Sequence, residues 1–266
     1  MKLLCPICGE ILDRIEKQYR CGNGHSFDLA RQGYVNLLPV QQKRSLNPGD
    51  TREQVLGRRA FLETGCYEPI SNTLNETAKA LGATGPILDV GCGEGYYSAR
   101  LAEALGAELT GLDISKEAVR CAAAKYKGPQ WLCGTAAHLP VESHSAGVVT
   151  SLFALTMAEE FKRVLRPDGY FFQVLAAEDH LLGLKSIIYP ELKFKEKNTV
   201  PEVPGFELVK SVPIRFTFTV EGEQVQNLLG MTPHVFRITK EGAARLAATE
   251  KLTDTASAVL NVYKLN

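Results

Sequence analysis

A chain of 266 residues, 45% hydrophobic and 23% charged, can hold one large α/β domain and a small appendage. Lys/Arg and Asp/Glu balance at 30 each, so net charge names no nucleic-acid partner, although residues 1–62 carry 10 basic against 6 acidic side chains, a bias compatible with an RNA-facing front end. No apolar run approaches the roughly 20 residues of a membrane span; Cys5 and Cys8 occupy the place of a secretory leader's apolar core, and seven cysteines, an odd number, fit a reducing cytoplasm better than a disulfide framework.

Residues 1–35 read as a metal-binding module. Cys5-Pro6-Ile7-Cys8 and Cys21-Gly22-Asn23-Gly24-His25 follow the spacing C-x2-C-x12-C-x3-H, a set of three thiolates and one imidazole suited to tetrahedral zinc. So short a segment cannot build its own core, and metal–ligand bonds take that place. Four protein ligands leave no open position for a reacting water, so the ion is structural.

Residues 36–66 read as a linker and a helix. The stretch from Val35 to Asp50 is irregular, with Gln41, Gln42, Lys43 and Arg44 exposed, and it ends in an Asn47-Pro48-Gly49 turn. Asp50 or Thr51 caps a helix over 51–64, whose Arg52, Arg58 and Arg59 either meet phosphates or form a solvated face. A second helix over 69–81 starts after Cys66-Tyr67-Glu68-Pro69.

Residues 67–266 carry the larger domain. Predicted strands at 86–90, 108–112, 130–133, 147–153 and 169–175 alternate with helices at 95–105, 115–126, 157–164 and 180–189, the pattern of βαβ units on a parallel sheet. The first unit is organised around Ile87-Leu88-Asp89-Val90-Gly91-Cys92-Gly93-Glu94-Gly95-Tyr96-Tyr97, a strand, a tight glycine turn and a helix start. A dinucleotide fingerprint would space its glycines G-x-G-x-x-G; here they alternate, and no P-loop lysine follows. A second strand, Leu109-Thr110-Gly111-Leu112-Asp113, ends in an acid placed to accept hydrogen bonds from ribose hydroxyls. After the third strand comes Gly134-Thr135-Ala136-Ala137-His138, and Val164-Leu165-Arg166-Pro167-Asp168-Gly169 is a helix end and turn. A long strand over 206–220, helical residues 222–249 and a last strand over 257–263 bring the sheet to seven strands.

The Asp89-x-Gly91-x-Gly93-x-Gly95 order resembles the first motif of class I methyltransferases, whose loop cradles the methionine end of S-adenosylmethionine. Together with the cysteine knuckles it makes a more specific match. The sequence resembles the bacterial 23S ribosomal RNA (guanine-N1)-methyltransferase family over nearly its full length. The matching residues include Cys5-Pro6-x-Cys8, Cys21-x3-His25-x-Phe27-Asp28, Gly33-Tyr34-Val35-Asn36-Leu37-Leu38-Pro39-Val40, Asp50, Arg59, Phe61-Leu62, Tyr67, Leu88 to Tyr97, and Met231-Thr232-Pro233. The resemblance implies a Rossmann-like class I methyltransferase fold, a structural zinc, S-adenosylmethionine as donor, and methyl transfer to N1 of a guanine in a 23S rRNA hairpin, with the zinc module recognising RNA. It implies cofactor-lining roles for Tyr67, Tyr97, Ser98 and His180, beside Asp89, Gly91, Gly93, Gly95, Asp113 and Ala136. His180, after the fifth strand, is the candidate for proton handling, and Lys185 a further electrostatic candidate; a capping or surface histidine is the alternative. The expected location is the cytoplasm, with no membrane partner, and a homodimer is left open.

Two loops depart from the family. Phe153-Ala154-Leu155-Thr156 lacks the proline usual after the fourth strand, and Ala176-Ala177-Glu178-Asp179-His180 carries two acids where the family has an arginine region. Acids beside an RNA phosphate would repel it. A class I methyltransferase with a changed acceptor, or a donor-binding RNA-binding protein without turnover, are therefore alternative readings.

Overall fold

The computed structural model describes residues 1–42, 45, 48–192 and 196–266; Lys43, Arg44 and Asn47 of the expected linker lie outside them. The N-terminal module is an antiparallel sheet of β1 (Leu3–Leu4), β2 (Ile11–Ile15), β3 (Gln18–Cys21) and β4 (Ser26–Asp28). Its apolar face is thin, so it shares a core with the main body: Leu3, Leu12 and Tyr19 pack in one cluster with Leu139 and Val141. Leu3 bridges Val141, and the Leu4 N–H donates to the Pro140 carbonyl at 2.9 Å.

Next comes β5 (Tyr34–Asn36), at the start of what the sequence presents as an irregular connection. It adds to the edge of β8 (Gln130–Cys133) in parallel, Tyr34 opposite Trp131. Three residues are too few to display a period of two, so only the free edge of β8 makes them a strand. Then α1 (Arg52–Leu62) opens on a reciprocal cap. The Thr51 hydroxyl accepts from the Gln54 N–H at 3.3 Å, and the Gln54 side chain accepts from the Thr51 N–H at 2.9 Å. The helix α2 (Glu68–Ala80) carries Pro69 in its first turn.

The alternating core follows as β6 (Ile87–Val90), α3 (Tyr96–Leu105), β7 (Leu109–Asp113), α4 (Lys116–Lys125), β8, β9 (Ala146–Leu152), α5 (Ala158–Val164), β10 (Leu165–Ala176) and α6 (Leu182–Ile188). The chain closes with β11 (Phe206–Glu221), α7 (Glu223–Gly230), α8 (Lys240–Ala247) and β12 (Lys251–Leu265). The sheet runs β11-β12-β10-β9-β6-β7-β8-β5, the seven expected strands plus the short edge strand, and β12 lies antiparallel to both its neighbours. Every residue of β6 and β9 is buried, as in parallel strands covered on both faces. The order reverses at β6, which has β9 on one side and β7 on the other, and this opens a crevice at the strands' C-terminal ends.

Two boundaries shift for tertiary reasons. β12 begins at Lys251, before the expected 257, because Lys251 to Ala256 pair with Glu221 to Phe216 although their composition is polar. Within it Asp254 is buried and caps α6, accepting from the N–H groups of Gly183 at 2.9 Å and Leu184 at 2.7 Å. The turn expected around Arg166 to Gly169 survives as a register break in β10 between Leu165 and Tyr170. No helix among the described residues is long and apolar enough to cross a membrane.

Candidate active site

The four predicted metal ligands converge. Their ligand atoms all lie within 4.8 Å of one another; Nδ1 of His25 is 3.5 Å from Cys5 Sγ and 3.4 Å from Cys21 Sγ, and Cys8 Sγ is 3.7 Å from Cys21 Sγ. Separations of this size are those of atoms on one small ion, and three thiolates with one imidazole form a tetrahedral set that suits Zn2+.

The glycine loop joins β6 to α3 at the crevice. Gly91, Gly93 and Gly95 all have positive φ, and Gly95 is the left-handed N-cap of α3. A Cβ on Gly91 would meet the Ala154 methyl at 2.6 Å, and one on Gly95 would meet Trp131 at 2.7 Å. The loop is held from below by two acids. Asp113 Oδ2 accepts the Gly93 N–H at 2.9 Å and Oδ1 the Ser115 N–H at 2.8 Å, while burial raises its pKa. Asp89 accepts the hydroxyls of Ser98 and Thr150, the latter at 2.7 Å, and burial lifts its pKa to about 6.

Above the loop is a cavity of about 1110 Å³. Of the sequence-predicted cofactor residues, Tyr67, Gly91, Gly93, Tyr97, Asp113, Ala136 and His180 line it. Asp89, Gly95 and Ser98 are not on its wall: they lie beneath the loop, Asp89 bonded to Ser98 and Gly95 packed toward Trp131. Their geometry holds the loop in shape, because the Asp89 carboxylate already spends both oxygens on hydroxyl donors. Thr135, which stands where many methyltransferases carry an acid, lines the cavity, and its hydroxyl accepts the Ala137 N–H at 3.2 Å.

Tyr67 is buried at the start of α2 with Phe61, Phe216 and Phe218 edge-on around its ring. Its Oη is 3.5 Å from His180 Nε2. Nδ1 of His180 accepts the Ser257 N–H at 3.1 Å, which puts the ring hydrogen on Nε2, toward Tyr67 and the cavity. Burial, and after it Lys185, push the His180 pKa down to about 4, so the ring is neutral at physiological pH. Tyr97 is half-buried, but its Oη is buried and has no hydrogen-bond partner among the described residues, and the same holds for Oε2 of the buried Glu94. Both residues line the cavity, and orphaned polar atoms in a wall call for a ligand that completes them.

The wall also holds residues outside the predicted cofactor set. Arg58 lines the cavity and pairs with Asp50 at 2.6 Å, while Arg59 is taken by Glu63 at 2.8 Å, so two of the three arginines of α1 serve the protein's own contacts. Lys197, Asn198 and His234 come from segments far along the chain; only Met231-Thr232-Pro233, which carries part of the family match, signalled that region.

Comparison with known proteins identifies both parts. Residues 3–46 match the family model for the RlmA N-terminal zinc ribbon, and residues 88–173 match a methyltransferase-domain model. A 23S rRNA (guanine(748)-N(1))-methyltransferase of Streptomyces fradiae is 33% identical over 254 residues, 92% of this chain and 90% of its own. A Micromonospora griseorubida protein named for guanine-N1 methylation of 23S rRNA is 32% identical over 98% of this chain and 97% of its own. A solved structure named as a type II methyltransferase from Anaeromyxobacter dehalogenans shares the fold, with a TM-score of 0.50 at 17% identity over 71% of this chain and 95% of that one. Because the similarity to the first two runs through zinc module, linker and methyltransferase domain alike, the chain belongs to the 23S rRNA (guanine-N1)-methyltransferase family.

Proposed function

We propose that the protein methylates N1 of a guanine in a hairpin of 23S rRNA, in the cytoplasm, with residues 1–35 as an RNA-recognising zinc module, residues 36–66 as linker and helix, and residues 67–266 as the methyltransferase domain. The observation that carries the reading is the cavity. At about 1110 Å³ it exceeds the roughly 300–1,000 Å³ of an ordinary small-molecule site, room for a donor and a flipped base together. S-adenosylmethionine is the donor, and the wall fits it: a close-approach glycine loop, an acid at the end of β7, and two orphaned polar atoms in Tyr97 and Glu94.

The donor supplies a methyl on a sulfonium, an electrophile attacked in line. The methyl would pass to guanine N1 with S-adenosylhomocysteine as the leaving group, and the N1 proton would go to solvent as negative charge gathers on guanine O6. The protein's part is alignment and stabilisation of that charge. His180 is proposed as the group that answers it. With Nδ1 held by Ser257, the ring is a donor through Nε2 and handles the proton inventory by hydrogen bonding, not by accepting N1's proton.

The departure at Glu178-Asp179 does not by itself favour a changed acceptor, because Asp179 is ion-paired with Arg215 on β11. The test is incubation of unmodified 23S rRNA transcripts with protein and labelled donor, followed by mass spectrometric mapping. N1-methylguanine at one position supports the reading; methyl transfer only to another base, to protein or to a metabolite refutes it. The homodimer left open by the sequence is settled by sedimentation equilibrium on the full chain, where the mass of a single chain rules it out.

A further inference from the structure

The wall of the same cavity also includes Lys185, Lys197, Asn198, Thr232 and His234. Lys185 stands on α6 and Lys197 on the segment before β11, yet both ammonium groups turn to one short loop. Lys185 Nζ lies 3.4 Å from the Glu178 carbonyl and Lys197 Nζ lies 3.3 Å from the Ala177 carbonyl. Neither lysine forms an ion pair among the described residues. The acids nearby are committed elsewhere or set back. Asp179 is paired with Arg215, Asp254 is spent on the N–H groups of Gly183, Leu184 and Thr255, and Glu178 is exposed and attracts Lys185 only from a distance.

Two cations that form no ion pair therefore line one cavity, and they feel each other. Burial lowers the Lys185 pKa and Lys197 lowers it further; burial and the same two lysines also depress His234. Such an arrangement is unfavourable in the free protein and becomes favourable around an anion. His180 lines the same cavity, so an anion that arrives with the target base is within reach of the two lysines. A flipped nucleotide leaves its stack at a cost of a few kcal/mol, and contacts to the flanking backbone are one source of compensation.

We propose that Lys185 and Lys197 form a phosphate-binding pair that grips the RNA backbone beside the guanine being methylated. This rests on the rRNA reading above and assigns the positive charge that the acidic loop at 178–179 lacks: it comes from α6 and from the segment before β11. The shared chemistry of a phosphodiester and a free nucleotide phosphate is separated by the test.

The experiment measures equilibrium binding of a fluorescent, unmodified 23S rRNA hairpin transcript to the full chain loaded with S-adenosylhomocysteine, over a series of KCl concentrations. Lys185→Gln, Lys197→Gln and the double variant are compared with wild type, and Lys251→Gln, outside the cavity and paired with Glu221, serves as control. Each cavity variant is expected to bind the transcript roughly tenfold more weakly, a loss of about 1.4 kcal/mol. The double variant should lose roughly 1–2 from the slope of log affinity against log salt, with the S-adenosylhomocysteine affinity from calorimetry unchanged. Lys197 is exposed, so its variant tests the idea even if Lys185→Gln disturbs packing. Wild-type affinity and slope in the double variant overturn the proposal while leaving the rRNA reading standing. Loss of all transcript binding in wild type, with donor binding intact, removes the rRNA reading and this proposal with it. Competition by guanosine 5′-monophosphate at concentrations matching the transcript's own assigns the lysine pair to a free nucleotide and overturns the backbone grip.

Discussion

Replacing Gly95 with alanine separates two demands that the donor loop makes on its sequence. The residue has φ +86°, a conformation in which an L side chain costs about 1–2 kcal/mol. The new methyl would also stand 2.7 Å from Trp131 and 3.2 Å from both Ala122 and Tyr126. Trp131 cannot swing aside freely: it is 1% exposed, and its Nε1 donates to the Tyr126 carbonyl at 3.0 Å. Overpacking of this kind costs about 1–3 kcal/mol, so the total is about 2–5 kcal/mol. In a chain of this size that lowers the melting temperature by roughly 5–15 °C, read by differential scanning calorimetry or circular dichroism. Gly106→Ala is the matched control, because that residue is also left-handed, with φ +60° and ψ +35°, and nothing lies within 4 Å of a Cβ; only the conformational cost of about 1–2 kcal/mol applies. Equal losses at the two positions would refute the argument that Trp131 sets the floor of the loop.

Other expectations follow from the same wall and from the zinc module. Tyr97→Phe removes a buried hydroxyl that has no partner in the free protein, so it should leave the apo stability unchanged or raise it by about 1 kcal/mol while weakening S-adenosylhomocysteine about tenfold in calorimetry; unchanged affinity would show that the hydroxyl does not meet the donor. Cys8→Ser should leave less than one zinc per chain by elemental analysis and make residues 1–35 sensitive to protease, and a fully metallated variant would contradict the ligand set. Asp89 has a folded pKa of about 6, above its ordinary 3.8, so the folded state binds its proton more tightly and this site lowers stability as pH rises from 3.8 through 6. His180, at about 4 against 6.5, acts in the opposite sense: its contribution is present above pH 6.5 and is lost as pH falls toward 4. Each amounts to roughly 3 kcal/mol over its window. Asp89→Asn should therefore gain stability relative to wild type at pH 7.5 and lose that advantage by pH 4, measured as urea midpoints; a constant offset across pH would sink the assignment.

The residues from Ile87 to Tyr97 and from Cys5 to His25 carried their meaning in the sequence because their chemistry is local. Glycines at positive φ, an acid at a strand end, and ligand pairs two or three residues apart are needed wherever such a turn or knuckle forms. The alternation of strands and helices between 86 and 189 was legible for a similar reason, since each element displays its own period. Other features were fixed only by partners distant in the chain. Tyr34–Asn36 becomes a strand because β8 offers an edge, and Lys251 to Ala256 because β11 runs beside them. The roles of the acids at the site were likewise decided in three dimensions. Asp89 looks like a ligand-facing acid at the end of its strand, but β9 brings Thr150 and α3 brings Ser98 to satisfy it beneath the loop. Asp179 looks repulsive to RNA until Arg215 arrives from β11 to pair with it. A sequence states which groups can ionise or donate; which of them remain available to a ligand depends on the partners that folding supplies.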